Sequence, residues 1–392
     1  MSRKKRKETK VREEGKSNFL TRNTDLPLII ATVLLILIGL ITLLSASSSK
    51  GLSVEGDAYF FVKRQVRYLV FGLVAAVVLT FIDYRKYNNI ALLGLIGMGI
   101  FASLVLVKVS GIDEGGAARW VNIGGINFQP SEFIKLGMII IIAGLLARTV
   151  KEGEIKTFGK GFAIPLALAG VVAILVLVWQ THLSAAFIIG LITVTQMFVA
   201  GSNIIYLLGL LILGVLGLVY VLSGISPESE SFRAARVLAW KDPYKYSQGA
   251  GWQILQSLYA IGSGGIIGLG IGQSRQKQDF LPEPQNDFIA SIFAEEFGFI
   301  GVTTLIAIFA ILIIRAIMIA RNTDDLFGKL IAIGITMLFA SEIILNFLVI
   351  TNLMPVTGIG LPFFSYGGTA MIANLMAIGV LMSIHRNSQR KE

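Results

Sequence analysis

The chain has 392 residues, of which 54% are hydrophobic and only 15% are charged. Soluble domains usually carry about 25% charged residues, so the composition excludes a disordered chain and disfavours an ordinary soluble domain. Uncharged runs such as 26–46 and 203–224 are long enough to cross the roughly 30 Å hydrocarbon core of a bilayer. The sequence therefore predicts a membrane protein with several spans.

The chain contains no cysteine and only two histidines, His182 and His385. This excludes disulfides, thiolate nucleophiles and iron–sulfur clusters, and two distant histidines do not form an ordinary zinc site. Any chemistry must use carboxylates, amines, hydroxyls and backbone groups. We predict no metal-binding residues. The cofactor stays unknown: a divalent cation such as Mg²⁺ could assist, but the sequence shows no dedicated set of ligands for it.

Much of the net charge of +10 lies in the N-terminal segment 1–22, which holds nine basic residues. Such an arm could bind nucleic acid. Directly before an apolar run it is more simply a cytoplasmic anchor that is attracted to anionic lipid. We therefore expect an anionic membrane lipid, and no nucleic acid, as a partner. The first apolar run is too long for a cleaved signal peptide and should remain as a membrane anchor.

The apolar runs predict an all-α polytopic membrane protein with ten transmembrane helices and both termini in the cytoplasm. The basic residues concentrate in the segments that this topology places inside, as the positive-inside rule requires. We divide the chain into a basic tail (1–25), a transmembrane domain (26–385) and a second short tail (386–392). The predicted spans lie near 26–46, 68–83, 89–107, 133–149, 162–179, 183–200, 203–224, 297–318, 327–349 and 371–384.

Three outward loops are substantial: 108–132, 225–296 and 350–370. The longest is rich in aromatic residues, and its segment 251–261 predicts an interfacial helix. Polar backbone at membrane depth must be buried in protein or line a wet cavity. We therefore expect this loop to fold back over the helices and roof an outward-facing cavity. We find no internal repeat, so the inverted-repeat architecture of many transporters is not supported.

Segment 118–135 is the first candidate for chemistry. Arg119, Glu132 and Lys135 lie where an outer loop enters the fourth span, and Pro130 suits the start of a helix. Glu132 and Lys135 are three residues apart and share a helix face. They could form part of a site, or they could merely pair at a helix end while Arg119 extends towards the interface.

Segment 273–301 is the second candidate, with two cations placed shortly before several carboxylates. Asp287 lies at the outer mouth of the eighth span, where partial desolvation would raise its pKa and suit it for general-base chemistry. Nearby cations could bind a diphosphate. The alternative is a helix-capping aspartate among solvated loop charges. The charged residues concerned are Arg275, Lys277, Glu283, Asp287, Glu295 and Glu296.

Three further features are weaker. Glu342 and Asn346 share one face of the ninth span, where an ionisable group suggests function but also suits a structural bond between helices. The Pro- and Gly-broken segment 354–368 could offer backbone amides to an anion. The Gly-rich run 262–272 lacks the strand–loop–helix context and the Lys-Ser/Thr pair of a phosphate-binding loop.

Four of these segments, 118–135, 249–265, 280–301 and 355–368, resemble the SEDS family (shape, elongation, division and sporulation), whose members include FtsW, RodA and SpoVE. The resemblance covers about residues 25–385, and the sequences of the motifs are most similar to those of the FtsW/SpoVE branch. It implies a ten-span peptidoglycan glycosyltransferase that polymerises lipid II on the outer face of a bacterial plasma membrane. It also implies a class B penicillin-binding protein as partner, in division, shape maintenance or sporulation.

The resemblance places the key aspartate of the family at Asp287. It implies that this carboxylate deprotonates the 4-hydroxyl of the acceptor sugar, while cations stabilise the departing polyprenyl diphosphate. The cations would be Arg119, Lys135 and either Arg275 or Lys277. The other positions that match family motifs are Trp120, Gln129, Pro130, Ser131, Glu132, Ser365, Tyr366, Gly367 and Gly368.

Two positions depart from the family pattern: His182 replaces a common aspartate, and Glu342 replaces a common glutamine. A neutral His182 could accept a hydrogen bond, whereas a protonated one would bring positive charge towards the diphosphate. It could also be satisfied by backbone at a helix turn. We expect the role of the missing aspartate to be absent or moved to Glu342. Glu342→Gln should then reduce polymerisation more than His182→Ala.

Two alternative functions use the same residues. A flippase could move lipid II through the cavity, and a scaffold could recruit a penicillin-binding protein without catalysis. Scrambling of lipid II without glycan formation would favour the flippase. A dispensable Asp287 would favour the scaffold.

Overall fold

The computed structural model describes residues 24–113, 118–123, 126–223, 232–278 and 280–388. Nearly all of the predicted basic tail, the start of the long outer loop and the last four residues lie outside this part of the chain. The helices are α1 (Leu26–Glu55), α2 (Phe60–Phe81), α3 (Ile90–Ser110), α4 (Pro130–Lys151), α5 (Ile164–Trp179), α6 (Leu183–Ala200), α7 (Ile204–Ser223), α8 (Phe232–Lys241), α9 (Ala250–Gly264), α10 (Ile289–Arg321), α11 (Leu326–Ile350) and α12 (Gly368–Ser388).

Within the described ranges, nine helical segments are long and apolar enough to span a membrane. Helix α7 adds a shorter apolar stretch, Ile204–Gly217. The prediction of a mostly helical, multi-pass membrane protein is confirmed. The nine segments are α1 to α4, α5 together with the π-helical turn Gly159–Ala163 that precedes it, α6, and α10 to α12.

One outer loop contradicts the all-α prediction. Strands β1 (Ile112–Asp113), β2 (Ala118–Ile123) and β3 (Ile126–Phe128) form a small antiparallel sheet in the order β1-β2-β3. Between two spans this backbone has no helix to pair its polar groups, and strand pairing supplies those hydrogen bonds. The segment is also rich in residues that favour strands. The sheet carries Arg119 on β2, directly before helix α4.

Helix lengths determine what projects beyond the membrane. The 30 residues of α1 extend about 45 Å at 1.5 Å per residue, about 15 Å more than the bilayer core. Helix α10 is broken at Gly298, where the backbone leaves helical geometry with φ 62°. Ser45 Oγ on α1 donates to Glu296 Oε1 in the short first part of α10, so these two segments stand beside each other.

The Gly-rich run is a packing element. The N–H groups of Leu269 and Gly270 donate to the carbonyls of Glu295 and Glu296 at 2.9 and 3.0 Å. A Cβ on Gly268 would overlap the Glu296 carbonyl, so only glycine allows this approach. These backbone amides are already bonded to the carbonyls beside the break in α10, so they are not available to bind a phosphate.

The long outer loop folds back onto the helices, as predicted. Trp240 Nε1 on α8 donates to the Asn352 carbonyl at 3.1 Å. Ser257 Oγ on α9 donates to the Ile350 carbonyl at 2.8 Å. Helix α9 contains the predicted interfacial segment 251–261. Helices α8 and α9 are therefore anchored on the loop that follows α11.

Candidate active site

A polar cavity of about 490 Å³ opens among neighbouring helix ends on one side of the bundle. Its walls come from α1, α2, the sheet, α4, α6, α8, α11 and α12, and from the loops 283–287 and 358–367. It gathers residues that are far apart in the sequence. The charged and titratable residues that line it are Lys50, Glu55, Arg64, Tyr68, Arg119, Glu132, Lys135, His182, Arg236, Glu283, Asp287, Glu342 and Tyr366.

Asp287 lines this cavity and is half-buried. It does not cap α10, because the N-cap residue is Phe288 and that cap has no side-chain hydrogen bond. The capping interpretation of Asp287 is therefore wrong. Burial raises the pKa of Asp287, while Arg236 and Arg119 act in the opposite direction. The carboxylate is a stronger base than an exposed aspartate, and two guanidinium groups lie near it.

Gly358 shows how close Asp287 and Arg119 are. A Cβ on this glycine would lie 3.6 Å from Arg119 Nη1 and 3.6 Å from Asp287 Oδ2. Gly358 has φ 73°, a conformation in which a side chain is strained. Arg119 Nη2 also donates to the Thr181 carbonyl at 3.3 Å. The carboxylate and the guanidinium therefore flank a glycine turn and face the same space.

Arg236 on α8 is a cavity residue that the sequence did not reveal. Its Nη1 donates to the Val356 carbonyl at 3.2 Å, and its charge acts on Asp287 and Arg119. The only local signal was an amphipathic segment in the long outer loop. Because α8 folds back over the cavity, this cation reaches Asp287 from about 50 positions earlier in the chain.

Glu132, Lys135 and Glu342 form a buried ion triad at the wall of the cavity. Lys135 Nζ lies 3.0 Å from Glu132 Oε2 and is also paired with Glu342. The Lys135 and Glu342 side chains are each only 4% exposed. Glu132 and Lys135 pair near the start of α4 and also line the cavity, while Arg119 lies in the cavity wall and does not extend to the interface. The lysine charge is already balanced by two carboxylates.

His182 precedes α6 and is only 5% exposed. Its Nδ1 lies 3.3 Å from Ser131 Oγ. Burial, with smaller contributions from Arg119 and Lys135, lowers the pKa of His182 to about 3. The histidine is therefore neutral near pH 7. Of the two charge states left open by the sequence, the structure favours the neutral one.

This neutral state predicts how stability depends on pH. In the unfolded chain His182 takes up a proton below about pH 6.5, whereas the folded protein resists protonation down to about pH 3. The unfolded state binds more protons in this window, so stability falls as the pH drops. At pH 5 the cost is up to about 2 kcal/mol. We expect His182→Gln to lose less thermal stability than the parent between pH 7 and pH 5. An equal loss in both proteins would contradict the assignment.

The loop with Ser365 and Tyr366 is held from two sides, and a buried glutamine makes two of its hydrogen bonds. Gln65 Nε2 on α2 donates to the Ser365 carbonyl at 3.2 Å, and its Oε1 accepts from the Gly367 N–H at 3.2 Å. Tyr366 N–H donates to the Gln285 carbonyl at 2.9 Å. The loop that faces the cavity is thus tied to α2 on one side and to the segment before Asp287 on the other.

Two predicted substrate-binding cations do not reach the cavity. Lys277 is buried, and its Nζ lies 3.0 Å from Glu296 Oε1 and 2.8 Å from Ser45 Oγ. Arg275 is exposed, and its backbone N–H donates to Glu295. Glu283 lines the cavity and pairs with Lys50 of α1. Arg236, Arg64 and Lys50 supply the positive charge that Arg275 and Lys277 were expected to supply.

Backbone strain is concentrated near the cavity. In the described ranges four non-glycine residues have positive φ: Thr181, Glu283, Asn352 and Phe363. Glu283 and Phe363 line the cavity, and Thr181 accepts a bond from Arg119. Such strained conformations often occur at functional sites. In the same part of the chain no group of three or more His, Asp or Glu residues is placed to hold a metal ion.

The fold and site thus define a class: a multi-pass membrane protein whose cavity combines a half-buried carboxylate with several guanidinium groups. The family model for FtsW, RodA and SpoVE, described as "Cell cycle protein", matches residues 26–390. The chain belongs to this family, and the resemblance found in the sequence is confirmed.

Individual relatives cover almost the whole chain. Stage V sporulation protein E of Bacillus subtilis (strain 168) is 38% identical over 365 residues, which cover 93% of this chain and 98% of the relative. A probable peptidoglycan glycosyltransferase FtsW of Trichlorobacter lovleyi is 37% identical and covers 92% of each chain.

Solved structures agree. A chain from a study titled "Structural coordination of polymerization and crosslinking by a peptidoglycan synthase complex" matches with a TM-score of 0.75 and 27% identity, covering 93% of this chain and 98% of that one. Rod shape determining protein RodA of Thermus thermophilus matches with a TM-score of 0.64 and 25% identity, covering 93% and 97%.

Proposed function

We propose that this protein is a peptidoglycan glycosyltransferase that polymerises lipid II into glycan strands. The observation that carries the proposal is the placement of Asp287 beside Arg119 and Arg236 in a cavity of about 490 Å³. A base with a raised pKa beside fixed cations is what sugar transfer from a diphosphate-linked donor requires. The names of the relatives support the same reaction.

The reaction is an inverting transfer between two lipid-linked sugars. Asp287 takes the proton of the acceptor 4-hydroxyl while the oxygen of that hydroxyl attacks the anomeric carbon of the donor. The new glycosidic bond forms while the bond to the polyprenyl diphosphate breaks, and the electron pair leaves with the diphosphate. Arg119 and Arg236 stabilise this developing charge. Lys135 contributes less, because Glu132 and Glu342 already balance its charge.

The proposed topology has ten spans, with α7 completing the set and both termini in the cytoplasm of a bacterium. The cavity lies at the C-terminal end of α1, which is the end away from the basic tail. The positive-inside rule then places the cavity at the outer face of the plasma membrane. In this arrangement 26–385 forms the catalytic domain between the cytoplasmic tails 1–25 and 386–392.

The proposed partners are lipid II and a class B penicillin-binding protein that crosslinks the new strands. The likeness to a chain from a peptidoglycan synthase complex supports the second partner. The nine basic residues of segment 1–22 support binding of the tail to anionic lipid.

Vesicles that contain the purified protein, its partner and fluorescent lipid II test the function directly. We expect glycan strands on a gel, formed with the parent protein and absent with Asp287→Asn. Scrambling of lipid II across the bilayer without strand formation would favour a flippase. Equal strand formation by the parent and Asp287→Asn would refute the proposed mechanism.

A further inference from the structure

Asn346 on α11 makes two hydrogen bonds that meet at the candidate active site. Its Nδ2 donates to the carbonyl of Asp287 at 2.8 Å and to the carbonyl of Ile359 at 2.8 Å. The residue is completely buried and is not among the residues that line the cavity. One amide group therefore holds the backbone of the proposed base and the backbone next to Gly358.

The amide chemistry fixes the orientation of this side chain. An asparagine NH₂ group has two hydrogens, which matches the two carbonyl acceptors. The flipped amide would place its oxygen against both carbonyls, which is unfavourable, so the hydrogen-bond network assigns the nitrogen to this side.

The two bonded carbonyls belong to different segments of the chain, and both Asp287 and Ile359 line the cavity. Asp287 carries the carboxylate, and Ile359 follows Gly358, on which a Cβ would lie 3.6 Å from both Asp287 Oδ2 and Arg119 Nη1. Asn346 also lies one helical turn from Glu342, which is paired with Lys135. Helix α11 therefore links the ion triad to the backbone of the base.

We propose that Asn346 is a positioning residue that sets the placement of the Asp287 carboxylate relative to Arg119. It does so by fixing the backbone at Asp287 and Ile359 together. This inference rests on the proposed glycosyltransferase function. If Asn346 positions the base, its loss should slow the chemical step more than it weakens substrate binding.

The test replaces Asn346 by leucine, which has similar volume but no donor, and by aspartate, which is isosteric but presents oxygens to both carbonyls. A misplacement of about 1 Å can cost about 100-fold in rate. We expect kcat for lipid II polymerisation to fall about 100-fold in both variants, with KM nearly unchanged. Rates are measured per mole of monodisperse protein. If Asn346→Leu does not fold, the comparison uses Asn346→Asp alone.

Gln196 on α6 offers a matched control. Its Nε2 donates to the carbonyls of Ile139 on α4 and Leu330 on α11 at 2.9 and 3.0 Å, so it too is a buried amide that bonds two carbonyls. It does not line the cavity. Gln196→Met should lower thermal stability as much as Asn346→Leu does, yet leave kcat near that of the parent.

The outcomes separate this inference from the function itself. If Asn346→Leu and Asn346→Asp keep kcat near that of the parent, or if Gln196→Met loses as much kcat as they do, Asn346 is a structural residue only. If the parent forms no strands with its partner, or Asp287→Asn is as active as the parent, the proposed function fails instead.

Discussion

Asp287→Asn is expected to slow lipid II polymerisation by about 10²- to 10⁴-fold, the range that general-base catalysis contributes. The amide keeps the shape of the side chain but cannot accept the acceptor proton. Expression and thermal stability should change little, since the Asp287 side chain does not cap α10. Strand formation over time with the partner present is the measurement.

Asp324→Asn is the control, because Asp324 is exposed and lies outside the cavity. It should polymerise lipid II at the parent rate.

The parent should also lose activity as the pH falls through the pKa of Asp287, which burial raises above that of an ordinary aspartate. An acid limb below about pH 4, the ordinary range for an aspartate, would contradict the desolvated base.

Lys135→Met is expected to cost about 3–5 kcal/mol of stability, because it leaves the buried carboxylates of Glu132 and Glu342 without their cation. Unfolding in detergent, followed by intrinsic fluorescence at pH 7, measures the loss.

A double variant tests the cause of this loss. Glu342→Gln in the Lys135→Met background removes one of the two unpaired charges and should recover part of the stability. Lys50→Met is the matched control, because its ion pair with Glu283 is partly exposed to solvent and should contribute at most about 1 kcal/mol. If Lys135→Met is no more destabilising than Lys50→Met, the triad does not hold the helices together.

The sequence by itself determined the class of protein and the position of Asp287. Long uncharged runs cannot remain in water, so the spans follow from composition alone, and the structure places helices at those runs. Its position directly before an apolar run made Asp287 a candidate base, with helix capping as the alternative, and the family resemblance singled it out. Lys135 and Glu132 were recognisable because three-residue spacing puts them on one helix face.

Tertiary structure decided which charges meet. Lys277 is near Asp287 in sequence, yet it is buried against Glu296, while Arg236 reaches Asp287 because α8 folds back over the cavity. Glu342 reaches Lys135 across 207 positions of the chain, and the charge state of His182 depends on its burial against α4. The energy of an ionised group is set by the desolvation and partners that surround it in space. Local sequence specifies neither of these, since both come from helices that meet only when the whole bundle is assembled.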